Sequence, residues 1–237
     1  MRRFFKEVSV ADDFRVLLDG KPIKTPMRAT LALPTHALAE AVAEEWRGQG
    51  EKIVPATLPL TKLTNTAIDR VVGREDHVVG QILAYANDLL CYRAEAPADL
   101  AARQNEGWNP LLEWATERHG ARLLTRVGIV HIAQPEEAVA ALRCAMAQHD
   151  PFILTALHAV ATLCGSLVLA LALADGRLTA GEAFALSRLD ERYQAEKWGT
   201  DGEAEKRARA MACELDAAAR FMRLARTNCS HPSTSSG

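Results

Sequence analysis

The sequence predicts an α+β protein, with a small N-terminal α+β domain over residues 1–58 and a larger all-helical domain over residues 59–225. Three observations carry this prediction. Residues 4–33 alternate apolar and polar side chains between turn signals, the pattern of short, half-buried strands. After Pro59 the apolar spacing changes to three and four almost throughout, the pattern of helices packed on a core. Phe152–Ala174 carries no charge, so as a helix about 35 Å long it must be surrounded by other helices or by lipid.

The totals limit the function classes. The chain has 237 residues, 49% hydrophobic and 24% charged, an ordinary composition for a soluble protein with a real core. Its 28 basic and 30 acidic residues leave a net charge of −2, so no overall field favours nucleic acid or an anionic membrane. Five cysteines without a Cys-x-x-Cys pair argue against a disulfide framework and a zinc knuckle, and suit a reducing compartment. The N-terminus, MRRFFKEVSVADDF, has neither the apolar stretch of a signal peptide nor the composition of a transit peptide. The expected location is the bacterial cytoplasm, or the mitochondrial matrix if a transit peptide precedes this sequence.

Within the first domain Phe4–Val10 and Phe14–Leu18 alternate, and Asp19-Gly20 supplies a hairpin turn into Lys21–Thr25. Pro22 and Pro26 restrict that return strand to an edge. Thr30–Leu33 reads as a further strand. Thr35 is a helix cap, with Leu38, Val42, Glu45 and Trp46 following at helical spacing up to Gly48. Ile53–Val54 adds one more short strand.

In the second domain Leu60, Leu63, Ala67, Ile68 and Val71 form one stripe, and Val78, Ile82, Tyr85, Leu89 and Tyr92 another. Leu100–Gly107 reads as a helix, after which Asn109-Pro110 starts a new one, with Asn109 as cap. Leu123–Ile132 (LLTRVGIVHI) is rich in strand formers and is expected to pair back onto the N-terminal sheet. Pro135 opens a helix to about Gln148, and the uncharged central helix follows Pro151. Thr179-Ala-Gly-Glu182 has the form of a capping box for a helix to about Trp198. A last helix fits Gly202–Leu224, and the polar tail 226–237 reads as disordered.

Catalytic signatures are missing. The sequence contains no phosphate loop, no dinucleotide-binding glycine motif after a strand, no nucleophile elbow and no His-Glu-x-x-His. His158 and Cys164 fall on opposite faces of their helix, which makes His158 a packed core residue. Asp201-x-Glu203-x-Glu205 lacks the glycine and the final glutamate of a calcium loop and reads as a solvated helix start. The chain is therefore expected to be non-enzymatic, without cofactor or metal. One cluster bears on recognition of another protein: in LSRLDERYQAEKWG, Asp190, Gln194 and Trp198 lie beside the apolar stripe Leu186, Leu189 and Tyr193, with Glu191 at its margin. Spacing alone reads this as a solvated face with i,i+4 pairs or as a recognition surface. Aromatic anchors and desolvated charges dominate binding energy at protein interfaces.

Six segments together resemble a known family. They are LDGKPIKTP (Leu18–Pro26), AEEWRGQGEKIVPATLPLTKLTNTAIDR (Ala43–Arg70), NDLLCYR (Asn87–Arg93), WNPLLEWA (Trp108–Ala115), GSLVLALAL (Gly165–Leu173) and SRLDERYQAEKWGTDGEAE (Ser187–Glu205). In this order, from about Arg3 to Leu224, they resemble the assembly chaperones of the catalytic F-one sector of ATP synthase that bind the free α subunit. Leu58-Pro59-Leu60-Thr61 and Trp108-Asn109-Pro110 depart mildly from the usual Met-Pro-Leu-Thr and Trp-Asp-Pro. The resemblance implies a cofactor-free, non-enzymatic chaperone that holds unassembled α subunit and shields its β-facing interface until β replaces it. It also implies that an acidic position important to the family falls on Asp190 or Glu191, and that a tryptophan of the first helix falls on Trp46. The expected partner is the α subunit, with no nucleic acid, no stable membrane insertion and a monomeric free state. Two other readings stay open at this stage. One is an enzyme with His119, His131 and Cys91 converging in an inter-domain cleft. The other is a membrane-associated assembly factor spanning the bilayer with Phe152–Ala174.

Overall fold

The alternating N-terminal segment folds into an antiparallel meander. In the computed structural model, which describes residues 1–226, β1 (Val8–Val10) pairs with β2 (Val16–Leu18), Val8 opposite Leu18 and Val10 opposite Val16. β2 in turn pairs with β3 (Lys21–Pro22). Asp19 and Gly20 make the turn with φ of 47° and 75°, the left-handed pair that suits the twist of a two-residue hairpin. The Asp19 carboxylate accepts the amides of Glu7 and Lys6 at 2.8 and 3.0 Å, which hold its carboxyl below the usual range. The strands expected at Thr30–Leu33 and Ile53–Val54 shrink to isolated bridges, Arg15–Ala32, Lys24–Thr30 and Arg2–Lys52. Pro26, Pro34 and Pro55 each remove a ladder donor beside them, so pairing cannot extend.

Helix α1 (His36–Arg47) packs Leu38, Ala39, Ala41, Val42 and Ala43 onto this meander. Its cap is Thr35, as its sequence position predicts, with the hydroxyl accepting the Leu38 amide at 3.1 Å. Helix α2 (Pro59–Thr66) has no cap of its own and takes one from α1. The Glu45 carboxylate accepts the amides of Leu60 and Thr61 at 2.7 and 2.9 Å and the Thr61 hydroxyl at 2.7 Å. A π-helical segment (Ala67–Val71) and α3 (Glu75–Ile82) follow.

Helix α4 (Ala98–His119) corrects the expected break: it runs unbroken through Pro110. Asn109 is no cap, because its side-chain oxygen accepts Arg93 Nη2 at 2.7 Å. Gln104, Trp108, Leu111, Leu112 and Ala115 are buried along one face, and that packing outweighs the lost proline hydrogen bond. The segment Leu123–Ile132 does not reach the N-terminal sheet. Only Arg126–Val127 (β5) is a strand, and it pairs in parallel with β4 (Tyr92–Arg93), formed where the second helical stripe was expected to end. Strand composition cannot choose a partner; here the partner is β4.

The uncharged run also divides. After α5 (Glu136–Ala147), helix α6 (Pro151–Cys164) ends at Gly165 with φ 65°, and Ser166 caps a new helix, α7 (Leu167–Ala174), by accepting the Leu169 amide at 3.0 Å. All of α7 is buried, and α6 packs against α3, α7 and the last helix. Among the described residues no helix is long and apolar enough to cross a membrane. The fully buried Asp88 stitches the new start in place: its carboxylate accepts the amides of Val168 at 2.9 Å and Leu90 at 3.0 Å.

The capping box at Thr179 and Glu182 is present. The helix it opens stops at Ser187 (α8, Ala180–Ser187), and after a kink at Arg188 the chain continues as α9 (Leu189–Trp198). Asp201 caps α10 (Gly202–Ala225), which buries Leu215, Ala218, Phe221, Met222 and Ala225. Arg226 belongs to the folded part, its guanidinium donating to the Ala174 carbonyl; the rest of the tail, 227–237, lies outside the described residues. One continuous apolar core runs from the meander through α6, α7 and α10. Polar ties join its two ends, among them Thr35 Oγ1 to the Leu224 carbonyl at 2.5 Å and Thr25 Oγ1 to Asp69 at 2.6 Å.

Candidate interaction surface

Helix α9 carries four of the residues singled out in the sequence, and the first half of α4 holds it from behind. Tyr193 is buried, its hydroxyl donating to both Asp99 oxygens at 2.7 and 2.9 Å. That bond lowers the Asp99 carboxyl and raises the Tyr193 phenol relative to their usual ranges. Arg103 pairs with Glu196 at 2.6 Å and Lys197 with Asp99 at 3.7 Å, and both cations flank the Tyr193 ring at 5.3 Å. Where α8 meets α4, Gly107 leaves room for Leu186, and Trp108 Nε1 donates to the Leu186 carbonyl at 3.1 Å.

The four α9 residues divide by environment. Asp190 is half-buried and accepts Gln104 Nε2 at 2.7 Å. Gln104 is buried and fully used, for its Oε1 accepts the Ala94 amide at 2.7 Å and its carbonyl accepts Arg93 Nη1 at 2.9 Å. Glu191 and Gln194 are exposed, and Glu191 pairs with Arg188 at 2.8 Å. Glu191 also edges a notch of about 140 Å³ floored by Phe184, Ala195, Ala204 and Ala208. Trp198 ends the helix 77% exposed, an unusual state for the largest apolar side chain. Trp46 is not part of this group. It is half-buried in the N-terminal unit, its ring 5.7 Å from that of Phe5 and its Nε1 donating to Thr61 Oγ1 at 3.2 Å.

Sequence reasoning missed a second exposed apolar feature. The segment between α4 and α5 turns Leu124, Val127, Ile129 and Val130 outward. The sequence carries the signal, apolar residues with no alternating polar face, but the N-terminal sheet does not take them.

The residues of the alternative catalytic reading do not form a site. Cys91 is buried, and burial pushes its thiol up to about 12, the reverse of an activated nucleophile. His119 lies against the Trp114 ring at 5.0 Å and near Asp175 at 3.8 Å, whereas His131 is exposed on the outward-facing loop. His158 is half-buried, lining a groove between α2, α6 and α10 rather than sitting in the core. Among the described residues no group of His, Cys, Asp and Glu could hold a metal ion.

Among solved structures, that of Atp12 from Paracoccus denitrificans is 43% identical, covers 95% of this chain and 98% of its own, and superposes with a TM-score of 0.89. The chain belongs to the ATP12 chaperone family. The family's sequence profile, described as ATP12 chaperone protein, matches residues 2–116, from the meander to the last turn of α4. The Atu1473 protein of Agrobacterium tumefaciens is 42% identical over 95% of this chain and 86% of its own, with a TM-score of 0.91. The mitochondrial protein atp12 of Schizosaccharomyces pombe is 26% identical over 215 residues, 84% of this chain and 74% of that protein. ATP12 membership confirms what the six motifs implied: a non-enzymatic chaperone of ATP synthase assembly with an α+β fold.

Proposed function

We propose that this ATP12 chaperone holds the unassembled α subunit of ATP synthase and covers its β-facing interface until a β subunit takes its place. A subunit made ahead of its partner exposes apolar interface, which is an aggregation hazard. The observation that carries the reading is α9: a helix strapped to α4 by ion pairs and a buried tyrosine, presenting Glu191, Gln194 and a largely uncovered Trp198 to solvent. An aromatic anchor beside a charged rim suits capture that is specific yet reversible, since interface area alone does not fix affinity. In this reading Glu191, Gln194 and Trp198 touch the client, while Asp190 and Trp46 hold the elements that present the surface. The free chaperone is a monomer that works in the bacterial cytoplasm or the mitochondrial matrix, and residues 1–58 and 59–225 are its two parts around the shared core.

The test is co-purification of the full chain with isolated α subunit, using β subunit as the control. Retention of α and not of β is expected. Equal retention of both, or of neither, overturns the proposal.

A further inference from the structure

The apolar segment between α4 and α5 is pinned at its base and open at its tip. Ile129 is 96% exposed, Val127 and Val130 are 60% exposed and Leu124 is 43% exposed. The Gln134 side chain takes both backbone groups of Leu124, accepting its amide at 2.8 Å and donating to its carbonyl at 3.1 Å. Gly128 donates to the Arg93 carbonyl at 2.8 Å, and the Ile132 amide to the Tyr92 hydroxyl at 3.3 Å. Among the described residues strand β5 has β4 as its one neighbour, and its other edge is unpaired. The amides of Ile129, Val130 and His131 make no hydrogen bond to any described residue. Arg122 and Arg126 are exposed and pair with no carboxylate among the described residues. Proteins ordinarily blunt such an edge or cover it, because it is a template for pairing with another chain.

We propose that residues 124–131 form a docking hook for the client. An extended apolar segment of the unassembled subunit adds as a strand along the open side of β5, packs on Val127, Ile129 and Val130, and places an acidic flank at Arg122 and Arg126. Main-chain hydrogen bonds supply affinity in this mode, and alternate side chains supply selectivity. A second copy of the chain is the poorer occupant. A two-residue strand and four apolar side chains fall far short of the roughly 1,200 Å² that a specific stable interface buries. A client already held by α9 needs only such a small second contact, which two-point attachment strengthens.

The hook and α9 meet at Gln104. Its backbone carbonyl and side-chain oxygen hold Arg93 and Ala94, at and just beyond β4, and its side-chain amide holds Asp190. Asp190 is thereby a positioning residue for the hook. This rests on the chaperone reading above and adds to it where the client lies and how it is gripped.

The test uses the full chain and isolated α subunit. Ile129→Asp with Val130→Asp is expected to leave the circular dichroism and melting temperature unchanged, because both side chains are exposed, and to weaken α capture at least tenfold. Amide hydrogen exchange at residues 129–131 is expected to slow when α is added to the wild-type chain. Wild-type capture with an unaffected double variant, or with no slowing at 129–131, overturns the hook and leaves the chaperone reading standing; no wild-type capture overturns that reading instead. A concentration-dependent dimer that the double variant abolishes assigns the hook to self-association and also overturns the proposal. For the link through Gln104, Asp190→Lys is expected to speed exchange across 124–131, whereas Asp190→Asn, which keeps an acceptor for Gln104, leaves it near wild type. Equal exchange in the two variants removes Asp190 from the mechanism.

Discussion

Burial and hydrogen bonding pull the Asp88 carboxyl in opposite directions, and burial wins. Desolvation raises it from 3.8 to about 6 against the lowering effect of the Val168, Leu90 and Leu167 amides and the Ser166 hydroxyl. The folded state therefore favours the protonated form. The associated stabilisation is complete below the unfolded value of 3.8 and is lost as pH rises through about 6. A shift of this size corresponds to about 3 kcal/mol. Thermal melts between pH 4 and pH 7 should show the wild type losing stability across that window while Asp88→Asn stays flatter; parallel curves would mean that Asp88 does not titrate there. The exposed face of α9 makes the opposite demand, on binding without stability. The Glu191–Arg188 pair is worth at most about 1 kcal/mol, so Glu191→Lys should melt normally yet hold α more weakly, and Trp198→Ala should lose capture by about 30-fold if it is an anchor. Calorimetry beside pull-down separates the two effects. Trp46→Arg should act the other way, costing about 2 kcal/mol because a charge enters a half-buried aromatic contact. A normal melting temperature with lost capture would make Trp46 a contact residue.

Elements with their own chemical punctuation were legible in the sequence: Thr35 caps α1, Asp19-Gly20 turns the hairpin, and Thr179 with Glu182 opens α8. Those decided by distant partners were not. Pro110 reads locally as a helix start, but Arg93 claims Asn109 and the Trp108 face binds α4 into one rod. Gly165-Ser166 reads locally as two small residues in an apolar run, because apolar spacing cannot distinguish a surrounded helix from two surrounded pieces. Asp88, far away in sequence, fixes the second start. At that joint Gly165 has φ 65°, a conformation that costs an L-residue roughly 1–2 kcal/mol. Gly165→Ala should accordingly lower the melting temperature by a few degrees. A variant as stable as the wild type would show that the joint tolerates a straight helix. On α9 spacing alone does not separate an ordinary solvated face from a recognition surface, and the choice of its residues rests on the family resemblance. The outward turn of Leu124, Val127, Ile129 and Val130 was not legible, because pattern reading assumes that apolar residues are covered.

At the scale of the molecule, the fold class was legible from the change of period near Pro59, and the family from six short motifs in order. What neither gave was the closure of the chain on itself. Thr35 accepts from its own helix and donates to the Leu224 carbonyl, 189 residues away. Thr35→Val removes both bonds and should cost about 2 kcal/mol, with faster hydrogen exchange at the start of α1 and the end of α10 together. Loss confined to α1 would show that the long-range bond contributes nothing. The same bond ties folding to protein synthesis. The first helix secures this partner only once residue 224 has been made, so a half-translated chain lacks that closure.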